Sequence, residues 1–388
     1  MRSYAVKAGD TLEGISIKFL YRSALAYKIK QINNLPDNNV YPGMVLSIPD
    51  EENNERKVYD GLKIVIDGYE LHQTPPIKII TAINTIAPGF DFSLPIDQAL
   101  KGIVKPYGFE KTGLYFDNSI ILSGYISSVT NSTKDQKIKT IKGFGKSQLL
   151  SEVNFPVSSY PRTFYNWTLN QIFKKFCDLY NIPFDIEDDA KEQANEKFTK
   201  VEIDPEQKIS DFLIELATTK GLIVYGNSIG GITLKKEYVK SDNILKLENY
   251  PGEITFDTAG VFSDTTCLKN YDADGNTQVA RAKLKLNEFK SKVFTIGKMQ
   301  TESMKNILDF EKKTQLINSM PFSLDLPYVT DINGKLIELN KQIYYKNDDL
   351  ELDGDFLIKG ITYEFTDKDQ GCTIDLTPVK FLKGDFTF

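Results

Sequence analysis

Histidine is almost missing from this chain: among 388 residues there is one, His72. A Ser-His-Asp or Cys-His catalytic set would have to be built around it. It sits in an expected hairpin strand beside Gln73 with no nucleophile motif, so we read it as a surface or interface residue. Zinc peptidases and amidases recruit several histidines, which excludes that class. Cysteine is scarce as well. Cys177, Cys267 and Cys372 are far apart and odd in number, so no disulfide framework or metal-site spacing is visible. That fits a reduced compartment during assembly. No apolar run approaches the roughly 18 residues needed to span a bilayer, and no membrane insertion is expected. The start, Met1-Arg2-Ser3-Tyr4-Ala5-Val6, goes straight into a strand pattern without the charged and apolar regions of a secretory signal. Synthesis in the cytoplasm without a signal peptide follows as an expectation. Positive charge is not in surplus either: 47 basic against 53 acidic residues leave a net charge of −6. Broad binding to nucleic acid needs the opposite balance, so no specific nucleic-acid binding is expected.

What is present is ordinary globular material. Hydrophobic residues make up 41% and charged residues 26%, and the length allows two to four domains. In the first fifty residues, Tyr4-Ala5-Val6-Lys7 alternates like a strand. Gly9-Asp10-Thr11 reads as a turn with a helix N-cap. Leu12, Ile15, Ser16 and Phe19 then recur on one helical face. A second helix is expected over residues 24–31, with Leu25, Ile29 and Ile32 inward. Asn33-Asn34-Leu35-Pro36 breaks it, Tyr41-Pro42-Gly43 turns the chain, and Val45 to Pro49 forms a closing strand. The order is βααβ. The charged, turn-prone stretch 51–60 reads as a linker.

From Leu62 the period changes to two. Leu62 to Leu71 reads as a hairpin turning at Asp67-Gly68. Strands follow at Ile77–Ile83, Phe90–Leu94, Tyr115–Phe116, Ile120–Val129 and Lys137–Lys142, a density that suggests a barrel or sandwich. Trp167, Leu169, Ile172, Phe173, Phe176, Leu179 and Tyr180 fit one helical face after a Thr168 cap. Ile209 to Thr219 fits a second helix closed by Gly221. A hairpin at Leu222–Tyr225 and Gly231–Leu234 follows, and beyond about residue 240 strands are expected to the end. The fold class is α+β, mostly β, with two helices in the middle of the body.

Two resemblances stand on these residues. Tyr4-x-Val6-Lys7-x-Gly9-Asp10-Thr11-Leu12, Ile32-Asn33-x-Leu35 and Pro42-Gly43-x-Val45-Leu46-x-Ile48-Pro49 resemble the LysM family. The resemblance implies binding to the N-acetylglucosamine backbone of peptidoglycan or chitin, in a groove between the first strand–helix loop and the second helix–strand loop. Carried over, the carbohydrate-binding residues are Gly9, Asp10, Thr11, Asn33, Asn34, Leu35 and Val40. Docking to a protein partner is the other use such a module can have. The words Ile121-Leu122-Ser123-Gly124-Tyr125-Ile126, Ile141-Lys142-Gly143-Phe144-Gly145-Lys146, the helix from Thr168-Leu169, Gly221-Leu222-Ile223 and Leu352 to Ile361 together resemble the Mu-type phage tail proteins, baseplate hubs of contractile tails. That resemblance implies a homotrimer with two β-barrel domains per chain, a symmetry adaptor between tail tube and central spike in a virion tail or tail-like particle assembled in a bacterial cell. Its expected partners are the tail tube protein, the central spike and other baseplate proteins, with peptidoglycan as a further one.

Other chemistry is sought and fails. Gly145-Lys146-Ser147 lacks the glycine a phosphate-binding loop needs five residues earlier, where Thr140 stands. Asp349-x-Glu351-x-Asp353-Gly354 lacks the closing Glu of a calcium loop, where Gly360 stands. Glu187-Asp188-Asp189 and Glu192 read as a solvated face. Arg281, Lys283 and Lys285, with Lys290 and Lys292, form a basic stretch that can line one strand face. The reading is therefore a non-enzyme with no catalytic residue, no metal and no cofactor. It divides into a LysM module at 1–50, a linker at 51–60, a first hub β domain at 61–160, a helix-containing middle domain at 161–240 and a C-terminal β-rich domain at 241–388. A LysM-anchored cell-wall-binding protein or a peptidoglycan hydrolase is the alternative.

Overall fold

A computed structural model describes residues 2–7, 10–12, 14–16, 26–33, 35–48, 62–71, 75–95, 102–105, 107–116, 119–132, 138–157, 162–236, 242–269, 278–284, 289–296, 299–300, 304–331, 334–366 and 370–382. The linker, Phe19, Leu25, His72 and Lys285 lie outside the described residues.

The N-terminal module pairs β1 (Arg2–Ala5) with β2 (Val45–Ile48) antiparallel. Leu12, Ile15 and Ser16 are helical and buried, and helix α1 covers Ala26–Ile32. Val6, Leu12, Ile15, Ile29, Leu35, Leu46 and Ile48 form its own core. Ile32, expected inward, is 38% exposed, because it ends α1 and points past the core that Ile29 fills.

The first β unit comprises β3 (Leu62–Ile66), β4 (Tyr69–Glu70), β5 (Ile77–Ala82), β6 (Gly89–Pro95), β7 (Lys111–Phe116), β8 (Ser119–Ser132) and β9 (Ile138–Gly145). The Asp67-Gly68 turn has φ of 48° and 84°, the left-handed pair that a two-residue hairpin requires.

The middle segment holds β10 (Thr163–Tyr165), helix α2 (Leu169–Leu179), β11 (Phe184–Ile186), β12 (Lys200–Glu202), helix α3 (Ile209–Thr219), β13 (Leu222–Gly226) and β14 (Ile232–Lys236). Thr168 caps α2 as expected. Its hydroxyl accepts from Gln171 N at 3.2 Å while the Gln171 side chain accepts from Thr168 N at 2.9 Å, a reciprocal capping box. Phe155, Phe164, Phe176 and Phe212 meet edge to face with ring centroids 5.1–6.3 Å apart. Leu179, expected on the buried face, is 43% exposed, and Cys177 takes the inward place four residues after Phe173.

The last segment contributes β15 (Asn243–Glu248), β16 (Glu253–Ile254), β17 (Asp264–Lys269), β18 (Gln278–Lys283), β19 (Ser291–Ile296), β20 (Met299–Gln300), helix α4 (Met304–Ser319), β21 (Phe322–Leu326), β22 (Gln342–Asn347), β23 (Leu352–Phe365) and β24 (Gln370–Pro378). Helix α4 corrects the expectation of strands alone beyond residue 240. Its buried side includes the polar Gln315 and Ser319 beside Leu308 and Leu316, so its apolar repeat is too sparse to read. Gln315 is buried because it is bonded: it donates to Glu311 Oε1 at 3.0 Å and accepts from Phe262 N at 3.3 Å.

Strands from both ends of the body share one sheet, ordered β16-β21-β24-β23-β5-β6-β9-β8-β7-β3-β4, with β22 on β23 and β15 on β22. The chain is mostly β with helices, as expected. The barrels take another form: among the described strands this path stays open. It contains one six-strand pattern twice. In the first unit the order is β5-β6-β9-β8-β7-β3, and in the last it is β16-β21-β24-β23-β22-β15. Each strand occupies the same place by chain order in both. One pairing departs, since β3 meets β7 antiparallel while β15 meets β22 parallel. In both copies the longest strand has 14 residues and a mid-strand bulge, at Ile126/Ser128 in β8 and Ile358/Gly360 in β23. A bulge bends a strand and strengthens its twist, so one strand can serve two neighbours. A single hydrophobic core runs beneath both copies, from Leu62 to Phe381.

The glycines in the sequence words are contact points. A Cβ at Gly124 would stand 2.0 Å from Phe144 O, and one at Gly143 would stand 2.2 Å from Phe90 Cζ. We expect Phe176→Ala to lower stability by about 3–5 kcal/mol, the usual cost of emptying a fully buried aromatic site, seen as a lower urea midpoint. Tyr69→Ala, on an exposed two-residue strand, should leave that midpoint within about 0.5 kcal/mol of the parent.

Candidate functional site

The candidate sugar groove belongs to the N-terminal module, and its loops are held by the side chains the sequence singled out. Asp10 accepts from the Tyr4 hydroxyl at 2.7 Å and from Lys7 N at 2.8 Å, which closes the strand-to-helix loop. Thr11 accepts from Gly14 N at 3.0 Å and so caps the helix. Asn33 joins α1 to β2. Its Nδ2 donates to Ile29 O at 2.8 Å and Ser47 O at 2.7 Å, while its Oδ1 accepts from Ser47 N at 2.7 Å. One side-chain amide thus satisfies both outward backbone groups of Ser47, as a neighbouring strand would. Leu35 is buried in the module core and Val40 is half-buried against it. Gly9 and Asn34 lie outside the described residues.

The exposed groups are on the second loop. Asp37 accepts from Asn39 N and Asn39 Nδ2, both at 2.9 Å, which folds the loop into an Asx turn. Tyr41 is 65% exposed, an aromatic face beside Val40. The sequence reading passed over it because Tyr41-Pro42-Gly43 registered only as a turn; a large aromatic at a turn was the available signal.

Elsewhere, the residues that mimic catalytic or ion-binding motifs are structural fasteners. Lys146 Nζ donates to Asn181 O at 2.7 Å, tying the end of β9 to the middle segment, and buried Ser147 donates to Ile86 O at 2.6 Å, tying it to the β5–β6 connection. Asn347 Oδ1 accepts from Asp349 N at 3.0 Å and Leu350 N at 3.1 Å, and Asp353 accepts from the Tyr344 hydroxyl at 2.7 Å, so the acidic run is the β22–β23 turn. Glu187 binds the Tyr225 hydroxyl and Lys235, each at 3.3 Å, and Asp188 pairs with Lys191 at 2.5 Å. Burial, followed by the nearby Glu187 charge, pushes the Tyr225 phenol upward. In the basic stretch, Arg281 and Lys283 are exposed on β18. Lys292 pairs with Glu311 at 2.5 Å, and Lys290 Nζ donates to Thr258 O at 2.7 Å. Among the described residues no group of three His, Cys, Asp or Glu could hold a metal ion, and no helix is long and apolar enough to cross a membrane.

The geometry defines a class: a small βααβ module followed by a β-rich body built on a duplicated six-strand pattern. The LysM domain family model matches residues 4–49, and the chain carries a LysM domain at its N-terminus. The body has the fold of prophage tail proteins. The 43 kDa tail protein of prophage MuSo2 from Shewanella oneidensis aligns with a TM-score of 0.69 at 18% identity, over 83% of this chain and 99% of that one. A tail protein from Neisseria meningitidis MC58 aligns with a TM-score of 0.68 at 15% identity, over 84% and 98%. Prophage tail protein gp18 from Listeria monocytogenes EGD-e aligns with a TM-score of 0.55 at 12% identity, over 84% and 98%. No curated protein sequence matches the chain.

Two outcomes follow. Asn33→Ala strips both backbone groups of Ser47 of their partner. It should destabilise the module by about 1–3 kcal/mol, read as an earlier module transition in calorimetry of the full chain. Burial pushes the Cys177 and Cys372 thiols up to about 12 and raises Cys267 as well. A raised thiol pKa suppresses thiolate at pH 8, so a disulfide reagent should label none of these three cysteines in the native protein and all of them in denaturant.

Proposed function

We propose that this chain is a structural baseplate hub of a contractile phage tail or tail-like particle, a homotrimer that joins the tail tube to the central spike. The observation that carries the reading is the duplicated six-strand pattern in a body with a tail-protein fold. A chain with two similar units can meet a sixfold tube in three copies, each unit facing one tube subunit. The work of such a protein lies in its interfaces with the tube, the spike and neighbouring baseplate proteins, and no catalytic step is assigned to it. Assembly takes place in the bacterial cytoplasm and ends in the particle. Light scattering of the purified protein on a size-exclusion column should give three times the 44.0 kDa of one chain. A monomer at every concentration tested counts against the hub.

The LysM domain serves, on this reading, to hold peptidoglycan when the particle tip meets the cell wall. The family resemblance assigns the groove to Gly9, Asp10, Thr11, Asn33, Asn34, Leu35 and Val40. Asp10, Thr11 and Asn33 shape it, and the exposed Asn39 amide and Tyr41 ring offer contact to N-acetyl sugars. The intact chain should sediment with insoluble peptidoglycan and be released by chitin oligosaccharides. Tyr41→Ala should weaken retention about three- to tenfold, the effect of losing roughly 0.7–1.4 kcal/mol of aromatic contact. No retention of the intact chain would leave the domain a protein-docking module.

A further inference from the structure

Among the described strands the two six-strand units pair at one place, and that pairing leaves a matching pair of edges without a strand partner. In the last unit, the long strand β23 changes neighbour at its bulge. Its first half, Leu352–Leu357, pairs with β22, and its second half, from Gly360 to Phe365, pairs antiparallel with β5 of the first unit. Lys78 on β5 and Glu364 on β23 face each other in that register and form an ion pair at 2.5 Å. In the first unit, β8 holds the position of β23. Its first half, from Ser119 to Tyr125, pairs with β7, and cover on that edge ends where Ile126 N donates to Glu110 O at 3.0 Å. Beyond the bulge, residues 128–132 pair with β9 on one side, and on the other no strand among the described residues meets them. Ser127, Ser128, Thr130 and Asn131 are exposed there, where the corresponding half of β23 is largely buried.

The complementary edge belongs to β16, which holds in the last unit the position of β5 in the first. It pairs with β21 on one side, as β5 pairs with β6, and no strand among the described residues meets its other side. Past the end of β16 the chain follows the residues that lead from α4 into β21: Thr255 N donates to Pro321 O at 3.2 Å and Asp257 N to Ser319 O at 2.7 Å.

We infer that the second half of β8 is the docking edge for β16 of a second copy of this chain, reproducing between copies the β5–β23 junction found within one. The occupant is specified by the chain itself, since the same strand position in its other unit already fills the same kind of edge. An unpaired edge is a template for strand addition, and joining unlike edges head to tail produces a ring when the rotation closes. Internal and external junctions would then alternate around it. A second feature marks the β8 edge as a contact surface. A cavity of about 270 Å³ lies against Ile126–Val129, and the loop that forms its other wall displays Tyr107 and Phe109, 95% and 61% exposed. Both have left-handed backbones, with φ of 61° and 53°, an unfavourable state for aromatic residues. Exposed aromatics beside a concave site are the side chains that anchor protein interfaces.

This inference rests on the hub reading, and one experiment separates them. Cysteines are placed in the full chain at Ser128→Cys or Thr130→Cys, each combined with Glu253→Cys or Thr255→Cys. Within one chain the two edges are separated by six intervening strands, roughly 34 Å along the sheet at about 4.8 Å per strand spacing, so a bond between them joins copies. The expected result on mild oxidation is conversion of the majority of at least one double variant to dimer and trimer bands that a reductant abolishes. The single variants should remain monomeric on the same gel. A trimer by light scattering with no cross-link in any of the four double variants would overturn the edge pairing and leave the hub standing. A monomer that never cross-links at any concentration would overturn both. Cross-linked dimers without trimers would support the edge pairing and count against a closed three-chain ring.

Discussion

Six residue pairs between β5 and β23, from Ala82–Gly360 to Ile77–Phe365, hold the body together. Without them the first unit, residues 62–145, and the last, residues 243–378, would each end in an open edge. Unpaired backbone groups buried away from water are costly, so the ladder that satisfies them also dictates the architecture. It places segments nearly three hundred residues apart in one sheet and lets a single core run under both. The domain boundaries proposed at residues 61–160 and 241–388 describe stretches of chain, and the hydrogen bonds cross between them.

That ladder depends on β23 being long and bent. A flat strand of 14 residues would face one neighbour along each edge; a bulged one turns its second half toward a different neighbour. Glycine permits the close approach. Gly124 lies in the middle of β8 and Gly360 in the middle of β23. A Cβ at the first would collide with the Phe144 backbone and one at the second would stand 2.5 Å from Asp375 Oδ2. The middle segment is then fastened to the first unit by its hairpin loop. Ser123 N donates to Ser228 O at 2.7 Å and Ser147 N to Gly230 O at 3.1 Å. These bonds tie the hairpin loop to β8 and to the turn that follows β9.

The LysM domain solves the edge problem on a smaller scale. With two strands it has little ladder to offer, and Asn33 supplies a side-chain substitute for a third strand at Ser47. Of the residues that the family resemblance points to, Asp10, Thr11 and Asn33 shape the loops through their own hydrogen bonds, and Leu35 fills the module core. Spacing alone does not tell a loop-shaping residue from a core one.

Local pattern in the sequence was enough to determine the βααβ order of the module, the Asp67-Gly68 hairpin, the Thr168 cap and the bounds of α3, because each rests on residues within a few positions of one another. Helix α4 escaped because buried Gln315 is paid for by hydrogen bonds to distant backbone and nearby Glu311, which no periodicity displays. Ile32 and Leu179 were misplaced because a helix face is defined by what packs against it. Strand periodicity announced β8 and β23 but gave no sign that β23 would leave β22 for β5 at its bulge. Only the tertiary structure decided that, because a strand's choice of neighbour is a long-range hydrogen-bonding decision made when the chain closes on itself.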